Sequence, residues 1–206
     1  MRKRVGLVFA AVSLLVFMQA APASANWYAG NRRTAGYGVR ADIRTPASQP
    51  IMYSGSISSW VSTEDYAGKW AQTGWYFHVD DYAPMDYIEY FDSSGVHHID
   101  DIALHSFNFW RPFEVRNATS TRWDLYIVGT KRGSSYVSQA PPNEVQVLSE
   151  VQGSSSNQLR RPSFRTVQFA DSYLTYWNFD QANWVENSPY YVVSKTYRYQ
   201  YETDGP

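Results

Sequence analysis

The stretch Trp70-Ala71-Gln72-Thr73-Gly74-Trp75 sets one amide between two large aromatic residues. Successive side chains of a β-strand point to opposite faces, so Trp70, Gln72 and Gly74 would share one face and the odd-numbered residues the other. Aromatic residues on both faces predict a central strand, and Gly74 leaves room beside Gln72 for a close backbone or a ligand. An unpaired amide costs about 1–3 kcal/mol in a protein interior. Gln72 is therefore expected to have either a structural partner or a function.

Alternation of apolar and polar residues with a period of two is the dominant pattern along the rest of the chain. It is clear in residues 37–43, where positions 37, 39, 41 and 43 are apolar. Comparable runs occur at 51–61, 69–79, 87–91, 123–130, 144–151, 164–169 and 191–201. Turn-rich segments, among them 92–95, 131–135 and 152–157, separate these runs. Many short strands at this spacing predict one all-β domain, an antiparallel sandwich or barrel, with no helix of useful length.

The first 25 residues have the pattern of a secretory signal peptide. Met1-Arg2-Lys3-Arg4 is a basic start, an apolar run extends to Met18, and Ala23-Ser24-Ala25 is a small-x-small end. The apolar run is too short to span a bilayer. We therefore predict a secreted, extracellular protein whose mature form, residues 26–206, is a single domain with no membrane segment.

Charge and cysteine content narrow the choice of partners. Three of the 18 Lys and Arg residues lie in the predicted signal peptide, so the mature chain has 15 against 19 acidic residues, a net charge of −4. No basic stripe is present, and nucleic acid is not an expected partner. Cysteine is absent, which excludes disulfides and thiol catalysis. With 8 Trp and 17 Tyr, the chain is rich in rings that can stack on sugars or extended peptides. We expect a monomer without a cofactor.

A carboxylate on a neighbouring strand would give Gln72 a chemical role. Glu144 and Glu150 share one face of the run at 144–151. A carboxylate can take a proton from water as a general base, and an amide N–H can donate to the oxygen that becomes negative in a tetrahedral intermediate. The alternative is structural: Gln72 ties two strands together, and Glu150 pairs with Arg160 or Arg161.

Several motifs resemble the glutamic peptidases known as eqolisins. Ser59-Trp60-Val61-Ser62-Thr63-Glu64, followed by Ala71-Gln72-Thr73-Gly74, resembles their Trp-Val-Gly-x-Asp and Gln-Thr-Gly segments. Tyr87-Ile88-Glu89-Tyr90-Phe91 resembles their Tyr-Glu-Trp-Tyr strand. Phe164-Arg165-Thr166-Val167-Gln168-Phe169 resembles Phe-Gly-Thr-Val-x-Phe. Neprosin-type peptidases and related secreted bacterial proteins are similar over the same stretch, from about residue 55 to residue 169.

The resemblance implies a two-sheet, concanavalin-like (jelly-roll) sandwich with a substrate groove across its concave sheet. It implies an acid-active endopeptidase that cleaves a polypeptide substrate, with Gln72 and Glu150 as the catalytic pair and Glu144 as the second choice for the carboxylate. Five further residues would shape the groove: Trp60, Glu64 (where the family has Asp), Trp75, Glu89 and Tyr90. The alternative function is a non-catalytic sandwich that binds an extracellular glycan or a surface.

A His/Asp-rich patch at 96–101, together with His105, is the remaining candidate for chemistry. In a strand, His97 and Asp101 share one face while His98 and Asp100 share the other. Each face thus offers at most two ligands, and a zinc site needs three or four. No metal is expected here.

Overall fold

The computed structural model describes residues 26–138, 144–180 and 183–206, so the predicted signal peptide lies outside the described residues. Within these ranges the regular structure is entirely β. The strands are β1 (Asn26–Thr34), β2 (Gly38–Arg44), β3 (Ser56–Glu64), β4 (Trp70–His78), β5 (Met85–Phe91), β6 (His97–Leu104), β7 (Trp110–Thr119), β8 (Arg122–Ile127), β9 (Thr130–Ser135), β10 (Glu144–Gln152), β11 (Ser163–Ala170), β12 (Tyr176–Asn178), β13 (Asn183–Glu186), β14 (Tyr191–Val192) and β15 (Tyr201–Asp204). No helix in the described ranges is long and apolar enough to cross a membrane.

The strands form two antiparallel sheets. The first has the order β13-β1-β10-β3-β4-β5-β6, and the second has the order β14-β15-β11-β2-β7-β8-β9 with β12 paired to β11. Their inner faces enclose one large apolar core. The predicted all-β, two-sheet antiparallel sandwich is therefore confirmed.

Period-two alternation determines which side chains enter the core. On β4, Trp75 and Phe77 are fully buried between the sheets, and Ile88 of β5 lies beside them in the same core. The second sheet contributes Phe113 and Trp123, which are equally buried. The even-numbered residues of β4 consequently point away from the core, onto the outer face of the first sheet.

Among the segments that differ from the predicted pattern, two are instructive. Residues 131–135 are predicted as a turn but belong to β9, an edge strand that burial constrains little and that tolerates a polar sequence. Residues 191–201 are predicted as one strand, yet β14 pairs antiparallel with β15, so the chain reverses between them. The intervening residues are mostly exposed. Their alternating tyrosines therefore do not mark a strand.

Candidate active site

An open groove of about 440 Å³ crosses the outer face of the first sheet. Its wall comes from β1, β10, β3, β4, β5 and β13, because these strands all direct alternate residues outward. Four glutamates line it: Glu64, Glu89, Glu144 and Glu150. Arg32 is the single basic residue in its lining as described. The charged groups of the groove are thus predominantly acidic.

Gln72 stands in this groove, 8% exposed. Its amide Nε2 lies 2.5 Å from the Tyr87 hydroxyl and 3.1 Å from Glu89 Oε2. An amide nitrogen carries two N–H groups, so both donors have acceptors. Among the described residues none donates to Gln72 Oε1, which is not sealed from solvent. The atom that Gln72 has free for a ligand is therefore an acceptor.

Gly74 is required by a neighbouring backbone. A Cβ added at Gly74 would overlap the carbonyl oxygen of Ser59 and the main chain of Trp60, both on β3. The sequence leaves open whether a backbone or a ligand fills the room beside Gln72, and the structure identifies the backbone of β3. This close approach brings Trp60, opposite Gly74 in register, to the floor of the groove.

Glu150, on β10, is also 8% exposed and lines the groove. Trp60 Nε1 donates to Glu150 Oε2 over 3.3 Å, and Gln152 Nε2 donates to Oε1 over 3.1 Å. The Tyr28 side chain is a third partner. Burial raises the pKa of Glu150, and the charge of Glu89 adds to the increase, although the hydrogen bonds oppose it. Glu150 is thus a partly desolvated carboxyl group facing an open groove.

The sheet register sets Gln72 and Glu150 apart along the strands. Gln72 pairs with Ser62 of β3, whereas Glu150 pairs with Ser58 of the same strand. The offset of four residues corresponds to about 13 Å along the strand. Tyr87 lies between the two, because its hydroxyl accepts from Gln72 and the charge of Glu150 contributes to its raised pKa.

Directly across β3 from Gln72 lies another amide, Gln146, which also pairs with Ser62. Gln146 Nε2 donates to Glu144 Oε1 over 2.7 Å and to Glu64 Oε2 over 3.2 Å. Glu144 and Glu64 oppose each other in register. Burial and the nearby Glu144 raise the pKa of Glu64. This end of the groove is a carboxylate pair bridged by one amide.

The groove therefore brings together six of the residues predicted from the sequence: Trp60, Glu64, Gln72, Glu89, Glu144 and Glu150. Trp75 and Tyr90 do not line it. Trp75 is fully buried in the core, and Tyr90 packs against that core while its hydroxyl donates to Asp100. The reason is alternation: each is an odd number of residues from a groove residue on its own strand.

The pairing of Glu150 with Arg160 or Arg161 is not formed. Arg161 Nε instead lies 2.9 Å from Asp204 Oδ2. Arg160 is exposed, and the described partners of Glu150 are the Trp, Gln and Tyr side chains given above. Within the described ranges, Glu150 is thus held without a basic partner.

Tyr87, Tyr28 and Gln146 are functional candidates that the sequence interpretation misses. Tyr87 begins the quoted segment 87–91, and alternation from Glu89 would have placed it on the groove side. Tyr28 and Gln146 depend on the pairing of β1 and β3 with β10, which no local pattern predicts.

The two neighbouring histidines of the His/Asp patch contact different carboxylates. His97 Nε2 lies 2.8 Å from Glu89 Oε1, and His98 Nε2 lies 2.9 Å from Asp92 Oδ2. Over the described ranges, no group of three or more His, Cys, Asp or Glu residues is arranged to hold a metal ion.

Comparison with known proteins identifies solved structures that have a similar fold. No protein-family model matches the sequence, and no curated protein matches it. Among solved structures, the chain is similar to scytalido-glutamic peptidase with a peptide-based transition-state analogue, with a TM-score of 0.63 and 14% identity over 89% of this chain and 100% of that one. It is also similar to SCP-B, a member of the eqolisin family of peptidases in a complex with the tripeptide Ala-Ile-His, with a TM-score of 0.62 and 10% identity over 89% and 100%.

A Bacillus licheniformis β-glucanase matches with a TM-score of 0.39 and 13% identity over 88% of this chain and 76% of that one, which is too distant to support an argument. The two peptidases show that the chain has a glutamic-peptidase-like fold. At these identities they show the fold alone, and function has to be argued from the groove.

Proposed function

We propose that the protein is a secreted endopeptidase of the glutamic type, active at acid pH and on extended polypeptides. The observation that carries the proposal is Glu150: a nearly buried carboxyl group that faces an open groove and has no basic partner among the residues that the structure describes. Its raised pKa suits a group that exchanges protons with a substrate in mildly acidic solution.

In the proposed reaction Glu150 takes a proton from a water molecule, whose oxygen bonds to the carbonyl carbon of the peptide. The proton then passes from Glu150 to the leaving nitrogen as the C–N bond breaks. Because Gln72 lies about 13 Å farther along the strands than Glu150, it assists by accepting a hydrogen bond at Oε1 from an N–H group of the bound polypeptide, and not from the water that Glu150 activates. The sequence-based role for Gln72, donation to the oxyanion, would require it to release Tyr87 or Glu89, because both of its N–H groups have acceptors.

The acidity of the groove supports an acid optimum. Glu64 and Glu144 face each other, and the charge of Glu89 raises the pKa of Glu150. Protonation of Glu64 relieves its repulsion with Glu144, so in mildly acidic solution an extended chain meets a less charged groove while part of Glu150 is still ionised and able to act as the base. The choice of Glu150 over Glu144 follows from their partners, since Glu144 has an ion pair with Arg32 over 3.7 Å, whereas Glu150 has no ion pair in the described part of the chain.

The proposal is tested by incubating the chain from residue 26 onward with a denatured protein between pH 3 and 7 and identifying new termini by mass spectrometry. Glu150→Gln and Gln72→Ala are expected to abolish the new termini. Glu114→Gln and Gln168→Ala are matched controls, because both residues lie in the second sheet, where they bond Tyr176 and Arg40. Cleavage that survives both groove substitutions would exclude the proposal.

An extracellular glycan is the second candidate occupant, favoured by the partly exposed rings of Tyr28 and Trp70 in the groove lining. Aromatic faces stack on sugars as readily as on peptide side chains. A glycan array distinguishes the two: binding by the wild type that Trp70→Ala removes, in the absence of any cleavage, would favour the glycan.

A further inference from the structure

The orientation of the Gln72 amide is determined by its two acceptors. Glu89 Oε1 lies 2.8 Å from His97 Nε2, and Glu89 Oε2 is the atom that faces Gln72. A carboxylate oxygen accepts and does not donate, so the amide nitrogen, and not its oxygen, must face Glu89. With Glu89 ionised, the hydrogen-bonding partners therefore place the nitrogen of Gln72 toward Glu89 and its oxygen away from it.

Tyr87 supplies the second acceptor from beneath the groove. Its side chain is 4% exposed and packs with Trp60 and Leu148 in a small cluster of its own. Burial raises the pKa of Tyr87 well above 10, with the charges of Glu89 and Glu150 as further causes. The phenol is therefore neutral at any pH at which the protein would work, and its oxygen can accept from Gln72.

We infer that Tyr87 is a positioning residue. Together with Glu89 it accepts hydrogen bonds from both N–H groups of Gln72, so that Gln72 Oε1 is the atom that faces the groove. One acceptor alone would leave the amide free to turn about its last bond, whereas two acceptors fix its plane. The consequence for catalysis rests on the proposed peptidase function. The orientation of the amide does not.

Tyr87→Phe tests this inference because it keeps the ring and removes the hydroxyl group that accepts from Gln72. The first readout is hydrogen exchange of the Gln72 side-chain amide, followed by NMR on the full mature chain. In the wild type both Gln72 protons should exchange roughly tenfold or more slowly than those of the exposed Gln200. In Tyr87→Phe one proton should lose this protection. Tyr176→Phe is the matched control, since its hydroxyl bonds Glu114 in the second sheet, and it should leave Gln72 unchanged.

The second readout is kinetic. If the protein cleaves peptides, Tyr87→Phe should lower kcat roughly 10- to 100-fold with KM unchanged, because a turned amide misplaces the reacting groups and not the whole substrate. A purely structural role would lower the folded fraction and would leave kcat per folded molecule as it is. Tyr176→Phe should keep both constants.

Fast exchange of Gln72 in the wild type, or unchanged exchange in Tyr87→Phe, would overturn the inference. If the variant does not fold, the comparison of the exchange rates of Gln72 and Gln200 in the wild type still tests whether both N–H groups of Gln72 are hydrogen-bonded. Protection that depends on Tyr87 in a protein without peptidase activity would uphold the positioning role and reject the proposed function, so the two failures are distinct.

Discussion

Glu150 illustrates how opposing effects set one side chain's chemistry. Burial and the charge of Glu89 favour its neutral form, while Gln152, Trp60 and Tyr28 stabilise the carboxylate. Burial prevails, so the pKa lies above the ordinary 4.5. A general base works only when ionised. The acid limb of the activity profile is therefore expected above pH 4.5.

Tyr28→Phe should move that limb to still higher pH. The substitution removes a donor that lowers the pKa of Glu150, so more alkaline solution is needed to ionise the base. The measurement is kcat/KM against pH for the wild type and the variant, with Tyr53→Phe as control because Tyr53 is exposed outside the groove. If the acid limb of the variant's profile stays at the same pH or moves to lower pH, ionisation of Glu150 does not control kcat/KM.

The pair formed by β3 and β4 is the element that builds the groove floor. Gly74 lets the two backbones approach at Ser59 and Trp60, and Trp60 then reaches Glu150. The geometry of the site thus depends on a residue that has no side chain.

Gly74→Ala should therefore destabilise the fold by about 1–3 kcal/mol, the usual cost of forcing an extra methyl group into a close contact. Urea unfolding measures the change in the free energy of unfolding. The Trp60–Glu150 hydrogen bond should weaken with it, visible as slower cleavage per folded molecule. An unchanged urea midpoint would mean that β3 and β4 have room for a methyl group there.

Glu64 and Glu144 oppose each other across β3 and β10, and the pKa of Glu64 is raised by burial first and by Glu144 second. A carboxyl group whose pKa is raised on folding contributes its full stabilisation to the folded state below pH 4.5. This contribution is lost as the pH rises through the folded-state pKa. Glu64→Gln should accordingly raise the free energy of unfolding near pH 7 by a few tenths to about 1 kcal/mol. Near pH 3 it should change nothing. Urea unfolding at the two pH values checks this, and a gain at pH 3 alone would refute it.

Alternation along single strands can be predicted from the sequence, and it separates the faces correctly. It assigns Gln72 and Trp75 to opposite sides of β4, which is what the burial of Trp75 confirms. The motif-based expectation that Trp75 and Tyr90 line the groove fails because it follows chain proximity and not side-chain direction. Edge strands such as β9 escape prediction, since little burial constrains their sequence.

At the scale of the whole molecule, the sandwich is predictable and the register is not. Strong alternation with turn-rich segments predicts an antiparallel sandwich or barrel around one core, and the resemblance to the eqolisins selects the sandwich. The pairing of β10 with both β1 and β3 joins segments far apart in sequence, and local patterns contain no information about it. For this reason the sequence selects Glu150 as the partner of Gln72, while Gln146, the residue opposite Gln72, emerges only from the assembled sheet.

The glutamic-peptidase-like fold is shared with the two peptidases, but a fold can persist without its chemistry. The most direct test of the account is kcat/KM for a denatured protein substrate at acid pH, compared between the wild type, Glu150→Gln and the second-sheet control Glu114→Gln. The account predicts measurable cleavage by the wild type and the control, and a loss of roughly 100-fold or more in Glu150→Gln. Equal cleavage by the wild type and Glu150→Gln, or no cleavage by the wild type, would contradict it.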